Sequence, residues 1–100
     1  MKRGASMRYT EQTFLTRYFD DKGVCREFER WGQKRLSTII RNSLELVNND
    51  VYRKFLQKDN VVEMVIYKTE PNGLNEQEVY RKNIADEVNR ETGVAWVKKH

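Results

Sequence analysis

The chain has 100 residues, of which 38% are hydrophobic and 34% are charged, and its formal net charge is +4 at pH 7. This size allows one domain with a modest core. A single cysteine excludes an internal disulfide and a cysteine-based metal site. No apolar run approaches the ~20 residues that cross a bilayer. We therefore expect a cytoplasmic protein with no membrane partner and no cofactor.

The excess positive charge lies toward the N-terminus. Residues 1–41 carry ten Lys and Arg against five Asp and Glu, whereas the two types nearly balance in the rest of the chain. Residues 1–8 have no periodic pattern, which predicts a disordered N-terminal segment. Residues 1–6, which precede a second methionine at Met7, are either native or an expression remnant. We predict a single α+β domain over residues 9–100.

The first predicted element is a short helix over Glu11–Phe19 with Thr10 as its N-cap. The second is a long amphipathic helix over Cys25–Val47, whose apolar residues share an arc about 120° wide. Gly32 lies on this arc and either permits the close approach of another helix or divides the segment in two. One helix is favoured because glycine costs only about 1 kcal/mol inside a helix.

Three further elements are predicted in the middle of the chain. A short helix is expected over Val51–Gln57, with Asp50 as its N-cap. Val61–Thr69 is rich in β-branched residues and predicts a strand. The strand is followed by Pro71-Asn72-Gly73, a strong turn signal.

The last part of the chain predicts a helix and then a strand. Asn75 and Glu78 have the spacing of a capping box, which predicts a helix from Glu76 to about Glu91. Val94–Val97 is a candidate final strand. The resulting order is α-α-α-β-α-β, an α+β fold that is mainly helical, with about four helices and a small sheet.

Two strands alone make a marginal sheet. Either a third strand lies near residues 7–9, or the edge of the strand over residues 61–69 pairs with a second copy of the chain. The second alternative predicts a homodimer.

The charges on the predicted long helix are its most distinctive feature. Four cations, Arg26, Arg30, Lys34 and Arg41, fall within an arc of about 80°, and Trp31 lies about 60° outside it. A row of cations can neutralise phosphates, and a tryptophan can stack on an exposed base. The pattern predicts that these five residues bind nucleic acid or another partner. A solvated helix face and a surface for an acidic protein are the alternatives.

Catalytic chemistry has little support in the sequence. His100 is the only histidine and is the last residue. Cys25 lies on the apolar arc of the predicted helix, where a small buried hydrophobic role is expected. We therefore predict a small non-catalytic accessory or regulatory protein that binds nucleic acid through a basic amphipathic helix. The alternative is a protein-interaction module, an inhibitor or adaptor, that docks on an acidic protein partner.

Overall fold

The computed structural model describes residues 12–90, which form an antiparallel sheet with helices on one side. The strands are β1 (Gln12–Asp20), β2 (Cys25–Lys34), β3 (Val61–Thr69) and β4 (Gln77–Asn83), and the helices are α1 (Leu36–Val47), α2 (Asp50–Lys58) and α3 (Ala85–Val88). The sheet order is β2-β1-β3-β4, and each neighbouring pair is antiparallel. Two hairpins therefore lie side by side, and the chain between them forms α1 and α2.

The prediction of a mainly helical fold is wrong, because strands make up 44% of the described residues and helices 32%. The segment predicted as the first helix is β1, and the predicted long helix is β2 followed by α1. The segment predicted as the last long helix is β4 followed by the single-turn helix α3. The short helix predicted over residues 51–57 and the strand predicted over residues 61–69 are confirmed. The predicted final strand, residues 94–97, and the predicted disordered segment, residues 1–8, lie outside the described residues.

Strand β1 has the apolar spacing of a helix because it is apolar on both of its faces. Phe14 and Tyr18 belong to the core that contacts the helices, and Leu15 on the opposite face is also buried. A central strand with apolar residues on both faces can place them three and four positions apart, as an amphipathic helix does. The periodicity alone therefore does not separate the two structures.

One hydrophobic core lies between the sheet and the helices. Its members come from β1, β3 and all three helices, and the following have no exposed surface: Tyr18, Ile39, Val47, Leu56, Met64, Ile66, Ile84 and Val88. Each large apolar side chain that is fully buried contributes about 1.5–3 kcal/mol of transfer free energy. Because these side chains come from separate segments, their burial stabilises the packing of the two hairpins and the helices against one another.

A chain of hydrogen bonds crosses this core from the sheet edge to α1. The indole Nε1 of Trp31 donates to Thr16 Oγ1 at 3.0 Å. Thr16 Oγ1 and Ser43 Oγ lie 2.9 Å apart, and both residues are fully buried. The Tyr18 hydroxyl donates to the Ser43 carbonyl, and burial raises the pKa of Tyr18. These bonds satisfy polar groups that would otherwise be buried without partners.

The turn between β1 and β2 is organised by Asp20. Its Oδ1 accepts hydrogen bonds from the backbone N–H groups of Val24 at 2.8 Å and Lys22 at 2.9 Å. Gly23 has φ +80°, a conformation that glycine adopts without steric cost. The hydrogen bond from Val24, with those from Lys22 and the nearby Arg26, holds the pKa of the Asp20 carboxyl below its usual range.

Replacing Asp20 by asparagine is expected to make the free energy of unfolding less dependent on pH, so that the variant loses less stability in acid than the wild type does. A carboxyl whose pKa is lowered by folding stabilises the protein above the unfolded pKa of about 4, and this contribution disappears as the pH falls through the folded pKa. Asparagine keeps an oxygen for the two N–H groups but does not titrate. The wild type should therefore be more stable than Asp20→Asn at pH 7, and the difference should vanish in strong acid. The free energies of unfolding of the two proteins, measured by urea titration at several pH values between 7 and 2, give this difference. The neighbouring Asp21→Asn is the control, and a difference that persists in acid would contradict the prediction.

The predicted turn after β3 is confirmed, but the helix predicted to follow it is not. Gly73 has φ +86°, and its N–H donates to the Glu70 carbonyl at 2.8 Å. Asn75, predicted as a helix N-cap, has φ +59°, and its side chain donates to the Glu70 carboxylate. Glu78 binds Arg81 rather than the backbone N–H of a helix. The capping-box residues are therefore used in a turn and a strand.

The predicted homodimer contact is wrong, because β3 is an inner strand. Both of its edges are occupied, by β1 on one side and β4 on the other. Within residues 12–90, the edge strands are β2 and β4. None of the helices in this part of the chain is long and apolar enough to cross a membrane.

Candidate functional site

The sheet has one face toward the helices and one face that no described helix covers. On β1, alternate side chains belong to the core with the helices, and the residues between them point the opposite way. The same alternation holds on β3, where Met64 and Ile66 face the helices. We call the side opposite the helices, as formed by the strands of residues 12–90, the open face, although Leu15 and Val65 on it are buried.

Strand β2 separates its charges between the two faces of the sheet. Register places Arg30 beside Leu15 and Phe28 beside Arg17, which puts Phe28 and Arg30 on the open face. Register shifts interrupt the alternation at both ends of β2: Lys34 lies opposite Gln12, on the same side of β1 as Phe14, and Arg26 is the extra residue between Cys25 and Glu27. We call Phe28 and Arg30, together with Arg26 and Lys34 that lie before and after them along β2, the basic row. Glu27 and Glu29 lie opposite Tyr18 and Thr16 and therefore point to the other face, toward the helices.

The structure brings together three of the five predicted site residues and separates the other two. Arg26, Arg30 and Lys34 share the basic row, but they lie on a strand, so the predicted basic amphipathic helix is wrong. Trp31 lies on the helix side of β2, where it is partly buried and its indole is already bonded. Arg41 is exposed on α1, in the helix layer.

The members of the basic row differ in how far their charge is neutralised. Arg26 makes ion pairs with Asp20 at 3.5 Å and Asp59 at 3.3 Å. Arg30 and Lys34 are exposed and form no ion pair with any other residue in the described part of the chain. The Arg30 guanidinium lies 5.9 Å from the centre of the Phe28 ring, which is 57% exposed. One cation that forms no ion pair within residues 12–90, Arg30, therefore lies beside an exposed aromatic ring, and Lys34 lies further along the strand.

A second cluster on the open face joins β1, β3 and the loop before β4. The Arg17 guanidinium stacks 4.8 Å from the centre of the Tyr67 ring. Its two terminal nitrogens donate to the Glu76 carboxylate at 2.5 and 2.7 Å. This bidentate pair holds the pKa of Glu76 below its usual range, and the charge of Arg30 lowers it further. Glu76 therefore occupies Arg17 in the geometry that a phosphate would use.

On the part of the open face that β4 forms, the positive charge of Arg81 is neutralised by carboxylates. Arg81 pairs with Glu63 at 2.7 Å and with Glu78 at 2.8 Å. Hydrogen bonds to these two carboxylates raise the pKa of Arg81. The unneutralised positive charge of the open face therefore lies on the β2 side.

A groove lies at the end of the sheet where β1 begins, between β2 and the β3–β4 turn. Its volume is about 620 Å³, and it is lined by Thr13, Phe14, Arg30, Trp31, Gly32, Thr69, Pro71, Asn72, Gly73 and Leu74. This volume is in the range of small-molecule sites, about 300–1,000 Å³. Arg30 thus belongs both to the basic row and to the groove wall.

Sequence reasoning missed Tyr67, Glu76 and the groove. Arg17 and Glu76 are 59 positions apart, and nothing in their local sequence connects them. A signal for the basic row was present: residues 26–30 alternate Arg, Glu, Phe, Glu and Arg, which is the period of a strand.

The described residues give no support to two other kinds of site. No group of three or more His, Cys, Asp or Glu within residues 12–90 is placed to hold a metal ion. The prediction that Cys25 is buried is wrong, because its side chain is exposed at the start of β2.

No protein-family model matches the chain, and no curated protein or solved structure is significantly similar to it. Its function is therefore inferred from the geometry and charge of the open face.

Proposed function

We propose that this protein binds single-stranded nucleic acid across the open face of its sheet, as a small non-catalytic accessory or regulatory protein of the cytoplasm. The observation that carries the proposal is the exposed pair of Arg30 and Phe28. Arg30, which forms no ion pair in the described part of the chain, lies beside the exposed ring of Phe28 on the sheet face opposite the helices, and the exposed Lys34 follows on the same strand. Proteins that bind single strands combine phosphate-binding cations with aromatic side chains on which bases stack.

The exposed phenylalanine favours a single strand over a duplex. Phe28 has no hydrogen-bonding group, so it can contribute only apolar contact and stacking. A base is available for stacking on a side chain only when it is not already stacked inside a helix. A surface that bound duplex by charge alone would gain nothing from an exposed ring at its centre.

The proposal is tested by fluorescence anisotropy with a labelled 12-nucleotide single strand of DNA or RNA and with the matching duplex. Each phosphate contact with a single strand contributes about −0.7 to the slope of log K against log salt, so the two or three cations of the basic row predict a slope of about −1.4 to −2.1. We expect the single strand to bind more tightly than the duplex. Absence of binding to every nucleic acid at 50 mM salt would overturn the proposal, and an acidic protein partner would be sought by affinity capture.

Replacing Glu76 by glutamine is expected to increase the affinity for the strand. The change removes the carboxylate that occupies Arg17, and Arg17 then becomes available for one more phosphate. Binding should tighten by about three- to tenfold at 50 mM salt, and the salt slope should become steeper by about 0.7. The pair is partly exposed, so the free energy of unfolding should fall by no more than about 1 kcal/mol.

The control for this prediction is Glu87→Gln, which removes the same charge from α3 in the helix layer. Equal gains in affinity for the two variants would show that only net charge matters, and would contradict a specific role for Glu76.

A further inference from the structure

We propose that the groove between β2 and the β3–β4 turn holds one nucleotide of the bound strand, with its phosphate at Arg30 and its base against the apolar wall that includes Leu74. The inference rests on the proposed function and adds to it a subsite that accepts an unstacked base. Its support comes from three independent features of the groove wall.

The first feature is a guanidinium placed for a phosphate. Arg30 extends from β2 toward the β3–β4 turn, and its Nη1 lies 3.3 Å from the position that a Cβ atom would take at Gly73. It forms no ion pair within residues 12–90. A guanidinium presents planar N–H groups that match two phosphate oxygens at once.

The second feature is a wall with the chemistry of a base-binding surface. Leu74 is 60% exposed, and it lines the groove together with Pro71 and Trp31. The Asn72 Oδ1 accepts a hydrogen bond from the Leu74 N–H at 2.9 Å, which leaves the Asn72 amide NH₂ as a donor for an acceptor on a base edge. A free inorganic anion would gain nothing from the apolar side chains of this wall.

The third feature is Gly32, whose backbone does not require glycine. The turn explains Gly73, because its φ of +86° excludes most side chains, but Gly32 lies inside a strand and has no such φ. A Cβ atom added at Gly32 would meet nothing within 4 Å. Glycine in a strand marks a bulge or a place where a ligand approaches closely, and the register shift between the Phe14–Trp31 and Gln12–Lys34 pairs puts a bulge at this point of β2. The missing side chain at this position keeps the groove open.

Filling the groove tests the inference without changing any charge. Gly32→Leu adds a side chain where there is space for it, and Gln33→Leu adds a similar one to the next residue of β2, which does not line the groove. We expect Gly32→Leu to weaken binding of the 12-nucleotide strand about tenfold, as the loss of one base contact does, with an unchanged salt slope. Gln33→Leu should bind as the wild type does.

The outcomes separate the two proposals. If the wild type binds the strand and both leucine variants bind equally well, the groove inference fails and the proposed function stands. If the wild type does not bind the strand, both fail.

A second measurement does not depend on the folding of any variant. In the wild type, titration with adenosine monophosphate should shift the backbone ¹H–¹⁵N signals of Gly32, Gly73 and Leu74. Inorganic phosphate at the same concentration should shift them less. No shift with the nucleotide, or equal shifts with phosphate alone, would overturn the inference.

Discussion

Reversing two charges of the basic row, as Arg30→Glu with Lys34→Glu, should weaken binding of the single strand by about 100-fold or more at 50 mM salt. Each side chain is exposed and unpaired within the described residues, so its charge is available to a phosphate. Loss of two phosphate contacts should flatten the salt slope by about 1.4. The two new carboxylates add repulsion, which is strongest at low salt because the Debye length is about 14 Å at 50 mM.

The matched control reverses two exposed cations of the helix layer, as Arg41→Glu with Lys54→Glu. This variant has the same net charge as the first, and it alters a residue that the sequence predicted as part of the site. It should retain most of the affinity. Equal losses in the two double variants, measured by anisotropy across a salt series, would show that binding follows net charge rather than the open face.

Replacing Thr16 by valine is expected to lower the free energy of unfolding by about 2 kcal/mol. The two side chains have nearly the same shape, but valine lacks the hydroxyl that accepts from the Trp31 indole and bonds with Ser43. Both partners lose a hydrogen bond in the buried part of the sheet, and an unsatisfied buried group costs about 1–3 kcal/mol. Urea unfolding followed by far-ultraviolet circular dichroism measures the change.

Two further variants identify the cause of this loss. Thr16→Ser keeps the hydroxyl and should recover most of the hydrogen-bond contribution. The double variant Thr16→Val with Ser43→Ala removes both partners of one bond, so its loss should be smaller than the sum of the two single losses. Additive losses would contradict the idea that these groups act as one chain of hydrogen bonds.

The elements that the sequence predicted well are those whose local signals agree with their environment. Strand β3 is β-branched and ends before a turn in which Gly73 has a positive φ. Helix α2 follows a polar cap, although the capping side chain is that of Asn49 rather than Asp50. In both cases the hydrophobic pattern and the terminal signals point to the same structure.

The basic row was assigned to a helix because its spacing fits two periods. Arg26, Arg30 and Lys34 are four residues apart, and a step of four keeps side chains on nearly the same side of a helix and, in a strand without bulges, on one side of the sheet. The actual boundary lies at Arg35, where φ and ψ are extended before α1 begins. The alternative of dividing the long segment near Gly32 was closer to the structure than the single helix that was favoured.

The candidate site depends on contacts between residues that are far apart in the sequence, which no local sequence pattern predicts. Glu76 reaches Arg17 across β3, and the groove forms where the end of β2 meets the β3–β4 turn. Both follow from the sheet order β2-β1-β3-β4, which places strands that are distant in sequence beside one another. Pairing also decides which face of β2 carries Phe28 and Arg30, since a shift of one residue would move both side chains to the other face.

The sequence by itself determined the position of β3, the α2 helix, the turn at Gly73 and the concentration of positive charge in residues 1–41. Only the tertiary structure decided that β1, β2 and β4 are strands and that Phe28 and Arg30 lie on the sheet face opposite the helices. The reason is physical: turns, caps and composition act through neighbouring residues, whereas a strand with an ambiguous period is stabilised by hydrogen bonds to partners elsewhere in the chain.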